Sequence, residues 1–95
     1  MHCQCGAHPL FDLGQIAISP EAAEVLRKVG LQLIQPLWLH VSGQWPEADS
    51  VRNEAAIRSG KLVVSVFALG DGWELVVGTD AARTTTVVDV RRGWE

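Results

Sequence analysis

The stretch Lys61-Leu-Val-Val-Ser-Val-Phe-Ala-Leu-Gly-Asp-Gly-Trp-Glu-Leu-Val-Val77 decides the fold. Its first half alternates. Leu62, Val64, Val66 and Ala68 point one way, while Val63, Ser65 and Phe67 point the other, which is the period of a β-strand. Gly70-Asp71-Gly72 supplies residues that accept positive φ, as a tight hairpin turn requires. Trp73–Val77 then reads as a second strand. Gly78-Thr79-Asp80-Ala81-Ala82-Arg83 reads as a longer connection. Thr84–Val90, rich in β-branched residues, reads as a third strand. The second half of the chain is therefore expected to be a three-stranded antiparallel meander. Its first two strands are apolar on both faces. Helices should cover one face, and something else, such as a partner chain or a second copy, the other.

Upstream, the period changes to that of a helix. Ser19-Pro20-Glu21 is a strong helix start: serine caps, proline suits the first helical position, and glutamate faces the positive end. Ala22, Val25, Leu26 and Val29 follow at helical spacing, and Gly30 sits where a left-handed cap is usual. Leu31–Ile34 is a connection. A short second helix is expected over Pro36-Leu37-Trp38-Leu39-His40-Val41, nearly apolar all round and so mostly buried, with Trp38 in the core. His40 ends it, where the helix dipole favours an imidazolium. A third helix, capped by Asp49 or Ser50, runs to Gly60. Its expected inner stripe is Val51 and Ala55, with Ala48 and Ile57 beside them, and Glu54–Arg58 forms a solvated pair. Gln15–Ile18 reads as a short strand or lead-in. Residues 1–14 read as an irregular arm and residues 15–95 as one small domain. The class is α+β: two or three short helices, then the meander, with the N-terminal strand adding to it.

Ninety-five residues suffice for one core. An apolar fraction of 47% with 20% charged residues describes an ordinary globular chain. The net charge of -3 and pI near 5.5 give no electrostatic footprint for nucleic acid, although Arg83, Arg91 and Arg92 would allow a local basic patch. An acidic surface suits a protein partner with basic character. No apolar run is long enough for a transmembrane helix, and no basic-then-apolar secretory pattern opens the sequence. Both cysteines lie within the first five residues, so a reducing, cytoplasmic setting with free thiols is expected.

His40-Val-Ser-Gly-Gln-Trp-Pro46 concentrates a titratable ring and an indole in one polar connection, the kind of loop that carries function on a rigid scaffold. Two readings follow. His40 as base, Arg83 as phosphate cation, and Asn53 and Thr85 as orienting groups would make a ribonuclease constellation of the barnase or RelE toxin type. Alternatively, His40 satisfies a buried partner and the protein only binds. The binding surface would then centre on Trp45 and Trp94, with Gln44, Asp49 and Asp80 supplying polarity, since exposed indoles are enriched at interface hot spots. Four tryptophans and no tyrosine make that enrichment notable. His2, Cys3, Cys5 and His8 are metal-capable residues packed too closely in sequence to wrap a tetrahedral ion, so no metal or other cofactor is expected.

The order of motifs resembles a family of small uncharacterised proteins carried on bacterial plasmids and integrative elements. Leu13-Gly-Gln-Ile16, His40-Val-Ser-Gly-x-Trp45, Asn53 and Thr79-x-Ala-x-Arg83-x-x-Thr86 fall on its pattern, over roughly residues 13–88. Gln44 stands where that pattern has aspartate, Pro46 where it has glycine, Asp80 where it has glutamate and Ala82 where it has aspartate. Arg91-Arg92-Gly93-Trp94-Glu95 replaces its acidic C-terminal motif. Carboxylates that would work with His40 are thereby missing. The resemblance implies a mobile-element origin. With the small size, the acidic pI, the incomplete catalytic set and the two-sided apolar strands, the expectation is a non-enzymatic accessory factor of a mobile element that docks on a protein partner, such as an inhibitor of host defence of the anti-CRISPR or anti-restriction type. The ribonuclease toxin, or a degenerate relative of one, stands as the alternative.

Overall fold

The computed structural model describes residues 8–92. The element order is β1 (Gln15–Ile18), α1 (Pro20–Val29), α2 (Ile34–Val41), α3 (Glu47–Ser59), β2 (Val63–Gly70), β3 (Trp73–Thr79) and β4 (Thr85–Arg92). Strands β2, β3 and β4 form the expected antiparallel meander. The sheet is nonetheless four-stranded and mixed, in the order β1-β4-β3-β2, because β1 pairs parallel with β4. The expected three-stranded antiparallel sheet is thus corrected: the short N-terminal strand does join the meander, but in parallel. The pairing joins residues some seventy positions apart, such as Gln15 with Thr85, and no local pattern encodes it.

The α1 start is as read. Ser19 Oγ accepts from the Ala22 N–H at 3.0 Å, Pro20 opens the helix, and Gly30 closes it at φ +75°. Ser19 Oγ also donates to Asp89 at 2.8 Å, tying the cap to β4. Ala22, Val25 and Leu26 of α1 join Leu37 of α2 over Leu75, Val77, Val88 and Val90 of the sheet. Burying such side chains contributes roughly 1.5–3 kcal/mol each. The turn after β2 places Asp71 and Gly72 at φ +54° and +78°, the geometry of a two-residue hairpin whose twist matches its strands.

Helix α2 starts at Ile34, two residues before Pro36, because proline is tolerated throughout a first turn. It is less buried than its composition suggests: Trp38 is 40% exposed rather than in the core. Strand β3 runs on through Gly78 and Thr79, which were expected in the connection.

Helix α3 departs furthest from expectation. It starts at Glu47 after Pro46, so neither Asp49 nor Ser50 caps it. Val51 is 80% exposed, and the buried residues are Asp49, Asn53 and Ala56. The reason is what the helix packs on. β2 is an edge strand, and the outward-facing backbone of Val64 and Val66 needs partners. Asn53 donates to the Val64 carbonyl at 2.8 Å and accepts from its N–H at 3.2 Å. Asp49 accepts from the Val66 N–H at 3.0 Å. Arg52 bonds both Asp49 at 2.8 Å and the Val64 carbonyl at 2.7 Å. The helix thus lays a polar stripe along the sheet's edge in place of another strand.

Helices α1 and α2 pack on one side of the sheet, and α3 lies along its β2 edge. Alternate residues on β2, β3 and β4 face the other side, which no element covers among the described residues.

Candidate functional site

Two places in this fold hold the residues singled out by the sequence. One is a buried polar chain on the helix side, and the other is a groove on the bare side.

The buried chain begins at His40, which α2 carries fully into the interior. Its Nδ1 lies 2.6 Å from Ser65 Oγ on β2, and its Nε2 lies 2.9 Å from Thr79 Oγ1 on β3. Thr79 Oγ1 is 2.7 Å from Thr86 Oγ1 on β4, and Thr86 donates at 2.7 Å to the carbonyl of Leu13. Each hydroxyl has one proton, so the directions follow in sequence. Thr86 spends its proton on Leu13 and accepts from Thr79. Thr79 then accepts from His40, which must carry its proton on Nε2. Nδ1 is left as an acceptor for Ser65. Among the described residues, no buried side-chain nitrogen or oxygen lacks a partner.

That bonding holds the ring neutral. Burial, and then the nearby positive charge of Arg83, lower the His40 pKa from 6.5 to about 4. The imidazolium expected from the helix dipole is therefore corrected: desolvation outweighs a dipole effect worth at most ~2 kcal/mol. Phe11 packs in a T-shaped contact against the ring, with centroids 5.2 Å apart, and the Arg83 guanidinium lies over the Phe11 ring at 5.4 Å.

A pH dependence follows. The unfolded chain protonates His40 as the pH falls below 6.5, while the folded chain resists until about 4. The group's contribution to stability is complete above pH 6.5 and is lost between there and pH 4, by roughly 3 kcal/mol. Asp80 is held ionised chiefly by the Thr84 hydroxyl, so it titrates below the ordinary carboxylate range and outside this window. Urea unfolding of the protein and of His40→Gln at pH 7 and pH 4.5 should show a drop for the former that the latter lacks. Parallel losses in both would assign the effect to other groups.

The proposed ribonuclease residues do not converge. His40 has both nitrogens engaged and no face open to a substrate proton. Asn53 is committed to the β2 edge. Arg83, at φ +60°, braces three carbonyls, bonding Lys61 at 2.7 Å, Asp80 at 2.9 Å and Ala56 at 3.5 Å. Thr85 alternates with buried Thr86 and so faces the opposite side of the sheet. The basic patch does not assemble either: Arg91 pairs with Glu74 at 2.9 Å, and Arg92 stacks on Trp73 at 3.9 Å.

The binding candidates scatter. Trp45 is half-buried, with its indole N–H donating to the His40 carbonyl at 2.8 Å. It closes the end of α2. Gln44 is exposed and donates to Ser42 at 2.8 Å. Asp49, expected on the surface, is buried on the β2 edge. Trp94 lies outside the described residues, as do His2, Cys3 and Cys5. His8 is exposed, and no group of three or more metal-capable side chains occurs among the described residues. Asp80 borders a concave surface.

That surface is a groove of about 250 Å³ on the bare side of the sheet. Leu62, Val64, Val76 and Val87 form its apolar walls around Gly78, with Asp80 and Asp89 at its rim. Leu62 is 55% and Val87 50% exposed. The sequence signal for it was the two-sided apolarity of β2 and β3. Gly78, a loop residue by its sequence context, lies inside β3 and carries no such signal. No helix among the described residues is long and apolar enough to cross a membrane. No protein family, curated protein or solved structure matches the chain.

Proposed function

We propose that this chain is a non-enzymatic binding protein whose bare sheet face docks a protein partner. The observation that carries the reading is the groove itself, an apolar strip left open on a domain that covers its other face with helices α1 and α2. Contiguous exposed apolar surface of this kind marks interaction sites. The acidic rim and the net charge of -3 favour a partner with basic character. The motif resemblance extends the proposal to an accessory factor of a mobile genetic element, acting as an inhibitor of host defence. A chemistry centred on His40 finds no support in its sealed surroundings.

Val87→Glu tests the docking face. Half-exposed and pointing outward, it should tolerate glutamate at a cost under about 1 kcal/mol. Tagged protein should retain a defined partner from its host's lysate at moderate salt, and Val87→Glu should lose it while melting within a few degrees of the parent. Equal capture by both would move the interface elsewhere. Light scattering of the purified chain should read 10.3 kDa, whereas twice that mass would put a second copy on the face.

A further inference from the structure

Gly78 is hard to explain by the fold alone. It occupies the middle of the sheet, paired with Val64 on one side and Val87 on the other in unbroken register. The only irregularity in that ladder lies elsewhere, between Ala68 and Gly70. Nor is Gly78 among the glycines at positive φ. A Cβ built on it would meet Val64 Cγ2 at 3.8 Å, Leu62 Cδ1 at 4.0 Å and the Val63 carbonyl at 4.0 Å, all ordinary contacts. Neither strain nor crowding asks for glycine there. Glycine weakens a strand interior, and it recurs where a ligand must approach the backbone closely.

The missing side chain is what makes the groove. Without it, Val64, Val76 and Val87 flank an open hollow at Gly78. Its volume of about 250 Å³ is below the roughly 300–1,000 Å³ of small-molecule sites, and suits one bulky side chain. The charges flank it. Asp80 accepts from the Thr84 and Thr85 N–H groups at 2.8 and 3.2 Å, so its carboxylate sits beside the start of β4. Asp89 lies four residues beyond Thr85 on the same face of that strand, about 13 Å away at strand rise. An extended chain spans that distance in four residues, and its alternate side chains share one face. A second copy stacked on this face would bring the acidic rims together.

Resting on the docking reading above, we infer that the Gly78 hollow is an anchor pocket. It takes one large apolar side chain from an extended segment of a partner protein, with basic residues two positions to either side of the anchor. Asp80 and Asp89 meet those two charges.

The probe is the capped peptide Lys-Thr-Trp-Thr-Lys, titrated into isotopically labelled protein and followed through amide chemical shifts. The expected result is saturable perturbation centred on Val64, Val76, Gly78 and Val87. Glu-Thr-Trp-Thr-Glu should bind at least tenfold more weakly, Lys-Thr-Ala-Thr-Lys should not saturate, and added salt should weaken the parent peptide. Gly78→Ala should melt higher by roughly 2–8 °C and bind several-fold more weakly. Gly78→Val should fill the hollow and reduce binding at least tenfold. Affinity unchanged in both variants would overturn the pocket, as would equal binding of the acidic peptide. Groove shifts that follow protein concentration without peptide would assign the hollow to a second copy and overturn it too. Partner capture separates the two readings. If Val87→Glu loses the partner and Gly78→Val keeps it, the face docks but the anchor is wrong. If neither variant loses it, both fall.

Discussion

His40→Ala is expected to lower the unfolding free energy by about 4 kcal/mol, within the range for emptying a large buried position. Two losses add. The ring's volume disappears from a site it fills completely, beneath Phe11. Its hydrogen-bond partners lose a counterpart as well: Ser65 retains a buried proton with no acceptor, and Thr79 loses its donor. Each unsatisfied buried group costs roughly 1–3 kcal/mol. Set against a domain stability of 5–15 kcal/mol, the variant would be marginal, with its melting temperature lower by roughly 15–30 °C. Thr79→Val in the same background separates the terms. Thr79→Val alone strands the Nε2–H of His40, a cost that vanishes with the ring, so the double variant should be less destabilised than the sum of the singles. Additive losses, or a loss under about 1 kcal/mol for His40→Ala, would contradict the polar chain drawn above.

Gly14→Ala should be nearly as damaging, for a reason that has nothing to do with burial. Gly14 sits at φ +66°, where an added Cβ would overlap the carbonyl group of Thr84 and lie 2.7 Å from its Cα. The next residue, Gln15, donates to that same carbonyl at 2.9 Å and begins β1. Alanine must therefore push the chain off β4, and the four-residue strand has little else to hold it. The Leu13 carbonyl that ends the His40 chain would move with it. A loss of about 3 kcal/mol is expected, with hydrogen-exchange protection disappearing first from residues 15–18. Gly30→Ala is the matched control. At φ +75° it has the same backbone cost but nothing within 4 Å, so it should lose only about 1 kcal/mol. Equal losses at the two positions would mean that the conformation, not the contact with Thr84, sets the effect.

These residues also mark how far the chain could be read in advance. Ser19, Pro20 and Gly30 bound α1 because capping is local chemistry, visible within a few residues. The hairpin at Asp71-Gly72 is legible for the same reason. The spacing of Asp49, Asn53 and Ala56 is helical too, yet their polarity hid the inner face of α3. That face serves backbone groups rather than a core, and the apolar spacing points to Val51 instead. The parallel pairing of β1 depends on residues far apart and left no trace in Gln15–Ile18. His40 was conspicuous as a titratable group, but its neutrality depends on Ser65, Thr79 and Arg83, which come from three other parts of the chain. Of the candidate site, the two-sided apolarity of β2 and β3 pointed to an open face, while Gly78 looked like punctuation because it followed what read as the end of a strand.

The polar stripe of α3 has a consequence for assembly. A sheet can lengthen by recruiting strands from other copies at either end. Here one end is stoppered: the outward amides of Val64 and Val66 are already taken by Asn53 and Asp49. A copy that joins at β1 presents the same stopper on its far side, so growth by strand addition stops at two. A fibre needs two sticky ends per unit, and the described residues offer one.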